Sequence, residues 1–305
     1  MDRKYIYRFK SNNDRDSIWQ SSYETPHLST LEDNSEVTLN NYYNLKPGDD
    51  GYAWCYYNVT TTESATTLFN SISGITGKMI VDGDEVNVAA TYQFPTTGIH
   101  IVRIKDDVSV GSRFYGCTNL VKYIFAPTSE ENKTMGDSFF RNCTGLKEIH
   151  IPYYVTSNTV NGYCFSGCTS LEAIYNDGFL FNKNTLFLNC TNIRILKFKN
   201  VTTFGSTSGS VAPFGLNPFK LIEFDSHIEY IGSQAFYGQT ATPDIIIPCN
   251  TPPEINANAF YGFNSGFRIW VPYSNDHSIL EAYKVAIGFS SKANQIFELN
   301  LSGSI

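Results

Sequence analysis

Charged residues are scarce in this chain of 305 residues, at 17%, and no run of 18 apolar residues occurs. The second absence leaves no segment able to cross a bilayer as a helix, so no membrane insertion is expected. Lys and Arg number 22 against 29 Asp and Glu, for a net charge of −7, and the bases form no cluster. A phosphate-binding surface needs grouped Lys and Arg, so nucleic acid is not an expected partner. Zinc spacing is missing too. No CxxC pair or Cys/His cluster is present among the 7 cysteines, and the nearest approach is the CxxxC of Cys164 and Cys168. Neither GxSxG, HExxH, a Walker loop nor a dinucleotide fingerprint occurs. The opening Met1-Asp2-Arg3-Lys4-Tyr5-Ile6-Tyr7-Arg8-Phe9-Lys10 alternates like a strand and lacks the apolar core of a signal peptide. The expectation is use without standard export, or a leader already removed. What is plentiful is apolar and aromatic, at 42% and 15%, enough for a sizeable core.

Four segments align without gaps. Phe114-Tyr115-Gly116-Cys117-Thr118-Asn119-Leu120 matches Phe140-Arg141-Asn142-Cys143-Thr144-Gly145-Leu146. It also matches Phe165-Ser166-Gly167-Cys168-Thr169-Ser170-Leu171 and Phe187-Leu188-Asn189-Cys190-Thr191-Asn192-Ile193. Weaker copies begin at Phe236 and Phe260, and a degenerate one centres on Leu216. Register points at 117, 143, 168, 190, 216, 239 and 263 give a period of 22 to 26 residues, which marks a solenoid of leucine-rich-repeat type. After each Cys comes a pattern such as Leu146-Lys147-Glu148-Ile149-His150-Ile151, whose alternation buries one face of a short strand. Pro152, Pro248 and Pro272 follow their strands, where proline ends ladder pairing. Phe114, Phe140, Phe165, Phe187, Phe236 and Phe260 are then expected at one height in the core. Cys117, Cys143, Cys168 and Cys190 form a column of buried free thiols beside them. A Cys168–His150 dyad is conceivable across adjacent turns, but alternation turns His150 outward, away from the thiol column.

The pattern Ala-Phe-x-Gly-Cys-Thr-x-Leu-x-x-Ile-x-Ile-Pro resembles the BspA-type leucine-rich repeat, and Ile231-Gly232-Ser233-Gln234-Ala235-Phe236-Tyr237-Gly238 lies close to that consensus. Trp270-Val271-Pro272, Leu280 to Phe289 and Ala293 to Ile296 resemble the closing helix and cap that follow such arrays. The resemblance covers about residues 108–300. Gln239 and Phe263 depart from it at the Cys position, and the polar stretch 202–211 reads as an insertion in the fifth turn.

The first hundred residues differ, being rich in Tyr, Thr, Asn and Asp. Turn signals fall at Pro47 to Gly51 and at Asp82-Gly83, so Ile80 to Val86 reads as a hairpin and Thr91 to Val102 as two strands around a turn. The string from Tyr92 to Val102 is similar to the last hairpin of PKD-like or immunoglobulin-like modules. Thr60 to Phe69 is a loop or one helical turn. The expected fold class is mainly β. An immunoglobulin-like or PKD-like β-domain at 1–104, for attachment or oligomerisation, leads into a solenoid of about seven turns at 105–274 and a helical cap at 275–305.

Two outward columns follow from the register. Lys122, Glu148, Ala173, Ile195, Leu221, Asp244 and Arg268 form one; Ile124, His150, Tyr175, Lys197, Glu223, Ile246 and Trp270 form the other, which is the candidate binding face. Their mixed character without uniform charge points to a protein or glycan ligand. Asp49, Asp50, Asp82 and Asp84 are acids that calcium takes, but Asp-Gly at a hairpin tip is turn chemistry first. No catalytic residue, metal or cofactor is expected, and a carbohydrate-active enzyme is a distant alternative, since paired carboxylates cannot be located in a β fold from sequence. The first expectation for function is a non-enzymatic virion component of a phage (a fibre, decoration or receptor-binding protein) whose N-terminal domain contacts other virion or surface proteins. The family resemblance implies the alternative, an extracellular adhesin at the cell surface. A homo-oligomer fits either.

Overall fold

The computed structural model describes residues 51–105, 111–126, 133–156, 162–178, 185–205, 213–214, 216–233, 235–236, 239–256, 258–261 and 263–299. One 12-stranded sheet runs through all of it. Its centre is a stack of parallel strands, Leu120–Ile124, Glu148–Ile151, Ala173–Asp177, Ile195–Lys199, Leu221–Glu223, Asp244–Ile246 and Arg268–Pro272, each paired with the next. These are seven strands, one after each expected register point, and they enclose six complete turns between them. Across the coil, Thr203–Phe204, Tyr230–Ile231 and Glu254–Ile255 pair in parallel, as do Lys133–Thr134 and Val155–Thr156. Successive turns are thus hydrogen-bonded on both sides of the core.

Inside, the repeated phenylalanines stack. Ring centroids lie 5.4 Å apart for Phe114–Phe140, 5.4 Å for Phe140–Phe165, 5.1 Å for Phe165–Phe187 and 4.9 Å for Phe187–Phe214, at nearly parallel planes. Each thiol donates to a backbone carbonyl one turn back: Cys143 to Phe114 at 2.9 Å, Cys168 to Phe140 at 3.0 Å and Cys190 to Phe165 at 3.0 Å. Burial pushes the Cys117 thiol up to about 12, against a smaller lowering by a hydrogen bond from the Asn70 backbone. The residue before each of these cysteines, Gly116, Asn142, Gly167 and Asn189, is left-handed with φ between 60° and 77°. Gly and Asn tolerate that region, which explains their alternation at one motif position. At Gly167 a Cβ would also meet Asn142 Oδ1 at 2.1 Å.

The fifth turn corrects the expected register. Phe214 continues the ring stack, and Asn217, not Leu216, occupies the thiol position, while Leu216 is 64% exposed. The strand pairing Ile195 with Leu221 keeps the expected spacing, so one residue is lost between turn and strand. Phe204, read as part of a polar insertion, carries the stack onward to Phe236 at 5.0 Å, and Phe236 stacks on Phe260 at 6.1 Å. Residues 206–211 of that insertion lie outside the described residues.

At the N-terminal end the hairpin forms as expected, Thr76–Val81 with Asp84–Asn87, turning at Asp82 and Gly83 with φ of 50° and 108°. The two strands expected within Thr91 to Val102 do form, but do not pair with each other: Thr91–Tyr92 pairs with Thr66–Thr67, and Gly98–Lys105 with Ala53–Val59 and Thr76–Val81. Ala53–Val59 then pairs antiparallel with Leu120–Ile124, so the sheet changes from antiparallel to parallel there without a break. Ala53, Tyr57, Phe69, Met79 and Val102 share one buried cluster with the repeat core. The expected boundary at 104 is therefore no gap in sheet or core. Residues 51–105 close the end of the array, and 1–50, the other half of the expected β-domain, lie outside the described residues.

At the other end the helix Ser278–Val285 buries Tyr283, whose hydroxyl donates to Cys249 O at 3.0 Å. A short 3₁₀ segment, Ser290–Gln295, leads into Ile296–Leu299, which adds to the main sheet beside Arg268–Pro272. The sheet thus runs on beyond 274, and the cap is a helix followed by a strand. Among the described residues no helix is long and apolar enough to cross a membrane.

Candidate functional site

Strand alternation sorts side chains to two faces. Ile149, Ile174, Leu196, Ile222, Ile245 and Ile269 are fully buried in the core, which turns their neighbours outward. The second column is held in register by hydrogen-bonded strands: His150 opposite Tyr175, then Lys197, Glu223, Ile246 and Trp270. Phe297, on the last strand, extends it beyond Trp270. Sequence reading missed Phe297 because it lies past the last repeat. Ile124, two residues past Lys122 as His150 is past Glu148, keeps its expected level at the head of the column. It sits opposite Trp54 and packs with Trp54, Tyr56 and Ile101 at the N-terminal end of the same face.

Charges on this face are matched across strands. Lys122 meets Glu148 at 2.7 Å and Lys197 meets Glu223 at 3.0 Å, all four side chains being at most 21% exposed. Arg268 grips Asp244 with two bonds, Nε to Oδ1 at 2.7 Å and Nη2 to Oδ2 at 2.9 Å. Both members of each pair were in the expected columns, adjacent in order, so equal offsets already placed them side by side.

Between the ion pairs lie rings. His150 stacks on Tyr175 with centroids 4.2 Å apart. Burial, aided by the Lys122 ammonium and opposed by Glu148, lowers the His150 imidazole to about 4, so it stands on the face as a neutral aromatic. Trp270 is fixed from several sides. Its Nε1 donates to Asp244 Oδ1 at 2.8 Å, the Arg268 guanidinium lies 5.3 Å over its ring, and Phe297 packs at 5.5 Å. A ring so held loses little freedom on binding. Ala173, Leu221 and Ile246 fill the spaces between, each at most 8% exposed.

Cys168 donates to Phe140 O inside the core and His150 stacks outward on Tyr175, so the conceivable dyad is not formed. Asp82, weighed for calcium, is engaged by protein: its Oδ1 accepts from Ile101 N at 2.9 Å and its Oδ2 lies 2.6 Å from His100 Nδ1. Asp49 and Asp50 lie outside the described residues. Among the described residues no group of three or more His, Cys, Asp or Glu is placed to hold a metal.

The family model described as BspA type leucine rich repeat region matches residues 89–210 and 213–281, in six copies. No curated protein matches the chain. The matched span contains every turn of the solenoid and begins ahead of Gly98–Lys105, inside the end-closing strands.

Proposed function

The chain belongs to the BspA-type leucine-rich-repeat family, and we propose that it is a non-enzymatic binding protein that holds a protein ligand on the outward sheet face. The carrying observation is the Asp244–Arg268–Trp270 unit, which presents a rigid indole in line with Ile246 and the exposed ring of Phe297. Tyr, Trp and Arg in a preorganised setting are what interface hot spots are made of. Protein is favoured over glycan because the Trp270 end joins aromatic rings and an arginine to apolar fill, residue types enriched where protein interfaces are most buried. A glycan remains the second ligand class on the ring pair His150–Tyr175.

Display is part of the proposal: a virion component of a phage in the first reading, a cell-surface adhesin in the second. In both, the N-terminal part of the chain attaches it to its carrier or to further copies of itself. Cross-linking on intact particles and intact cells reports which carrier holds it. For the face, the full chain is titrated against surface proteins and glycans from candidate hosts. Trp270→Ala and Tyr175→Ala are each expected to weaken binding by ~2 kcal/mol or more, about 30-fold. Unchanged affinity in the double variant overturns the assignment of this face.

A further inference from the structure

The residue after each core phenylalanine sits at the tip of its turn: Tyr115, Arg141, Ser166 and Leu188 in the first four. Tyr115 and Leu188 are 38% and 41% exposed, whereas Ser166 is buried. Backbone bonds fix the order of these tips. Gly116 N donates to Arg141 O, Asn142 N to Ser166 O and Gly167 N to Leu188 O, each at 2.8 Å. Arg141 therefore has a turn on either side, and each supplies a ring. Its Cζ lies 5.7 Å from the ring centre of Tyr115 in the turn before and 4.9 Å from that of Tyr163 in the turn after. Rings attract a planar guanidinium through its faces, while its N–H donors lie in the plane, at the edge. Among the described residues the Arg141 side chain joins no ion pair and donates no hydrogen bond. A fork held by two rings loses little freedom on binding, which favours a carboxylate taken by two parallel bonds.

We propose that Arg141, held by Tyr115 and Tyr163, receives a carboxylate from an extended acidic segment of a partner protein, and that an apolar side chain of the same segment packs on Leu188. Paired backbones lie ~4.8 Å apart, so Arg141 and Leu188, two turns apart, are separated by about 10 Å, the length of roughly three extended residues. A peptide is favoured over an acidic glycan because the next exposed group along this ridge is the aliphatic Leu188, which offers a sugar's hydroxyls no partner. The chain's net charge of −7 opposes an acidic partner at long range. That repulsion is screened beyond about 8 Å at physiological salt, and the contact at Arg141 is far shorter. These residues lie on the turns, outside both sheet-face columns, so the ligand reading at Trp270 stands or falls separately.

The probe is the labelled peptide Ser-Asp-Ser-Ser-Leu-Ser, titrated with the full chain by fluorescence anisotropy at physiological salt. Saturable binding with a Kd below about 1 mM is expected. Replacing the peptide's Asp by Asn, or Arg141→Ala in the chain, should weaken binding about tenfold or more. Replacing the peptide's Leu by Ser should weaken it several-fold. Arg141→Lys should fall between, since an ammonium keeps the charge but not the fork. The Asp-to-Asn comparison needs no variant of the chain, so it holds whatever Arg141→Ala does to folding. No saturable binding, equal affinity for the Asp and Asn peptides, or unchanged affinity in Arg141→Ala overturns the proposal. Trigalacturonate carries the same carboxylate on a sugar and should displace the peptide no better than acetate does. Displacement below the peptide's own Kd assigns the site to an acidic glycan and overturns the protein partner.

Discussion

Truncating Phe165 tests the ladder at its best-defined step. The ring is fully buried, with Phe140 stacked at 5.4 Å on one side and Phe187 at 5.1 Å on the other. Phe→Ala in a core costs about 3–5 kcal/mol, less where neighbours can move in. Here they cannot easily do so. Phe140 is itself stacked on Phe114 and Phe187 on Phe214, so either ring could fill the hole only by opening another behind it. The expected loss lies in the upper half of that range, about 4–5 kcal/mol, including two ring pairs worth roughly 0.5–1.5 kcal/mol each. Because repeat arrays couple mainly to nearest neighbours, the loss should concentrate in the adjoining turns. The amides to watch by hydrogen exchange are Phe140, Phe165 and Gly167, which donate to Cys164, Leu186 and Leu188 of adjacent turns. Their protection should fall by a factor on the order of a thousand, since 1.4 kcal/mol is tenfold. Ile247, which donates to Trp270 O far along the array, should lose much less. Unchanged protection from Phe140 to Cys190 would refute the ladder. An equal loss at Ile247 would refute nearest-neighbour coupling.

Two further outcomes follow from the buried groups. Cys117, Cys143, Cys168 and Cys190 are fully buried thiols, with Cys117 raised to about 12, so iodoacetamide at pH 8 should leave them unmodified until the chain is unfolded. Rapid native labelling, or bound stoichiometric zinc, counts against that reading. His150 makes stability depend on pH with a definite sign. Its folded value is about 4 against 6.5 ordinarily, so between those limits the unfolded chain takes up a proton that the folded chain refuses. Its contribution is full above about pH 6.5, falls as the pH drops toward 4, and is flat below. His100 acts oppositely: burial lowers it, but the Asp82 carboxylate and Thr96 carbonyl outweigh burial and leave it raised. The comparison is therefore made against His150→Phe, which keeps a ring on Tyr175 but cannot titrate. Guanidinium unfolding at pH 7 and pH 4.5 should show a larger acid loss in the parent, and equal losses would contradict a half-buried, neutral His150.

The parts legible in the sequence were those with a local cause. Phe, Gly or Asn, and Cys recur because a stacked ring, a left-handed φ and a small buried donor are each needed once per turn, within four residues. Asp82-Gly83 announced its hairpin for the same reason. What escaped was set by distance. The pairing of Ala53–Val59 between Gly98–Lys105 and Leu120–Ile124 joins residues as far apart as Trp54 and Ile124 in a register that no single segment encodes. Leu216 was chosen by counting back from the strand Leu221–Glu223, whereas the ring stack counts from Phe214, and the two disagree by the one residue lost. Phe204 was hidden because its neighbours Thr202, Thr203 and Gly205 read as loop. On the outward face, alternation identified the columns. Which of their members are buried was not readable, since Leu221, Glu223 and Ile246 look alike exposed in a strand pattern yet all are buried.

That fifth turn also shows what the array conserves when the repeat changes. In the preceding turns a thiol donates backward to the Phe carbonyl of the turn before. In the fifth and sixth turns, amides replace the thiols and the direction reverses. Asn217 Oδ1 accepts from Ile193 N at 2.9 Å, and Gln239 Oε1 accepts from Asn217 N at 3.0 Å. Both amide side chains are almost fully buried, where an unpaired polar group would cost about 1–3 kcal/mol. A longer side chain at this position therefore fits only if it bonds the neighbouring turn, as the shorter thiol does from the other side of the donor–acceptor pair. The rings adjust in concert, passing through Phe204 to reach Phe236. Turn-to-turn bonding and a filled aromatic column are retained, while residue identity and bond direction are free. The outward strands keep the same pairing, Ile195 with Leu221 and Leu221 with Asp244, so the change inside never reaches the face that carries Trp270.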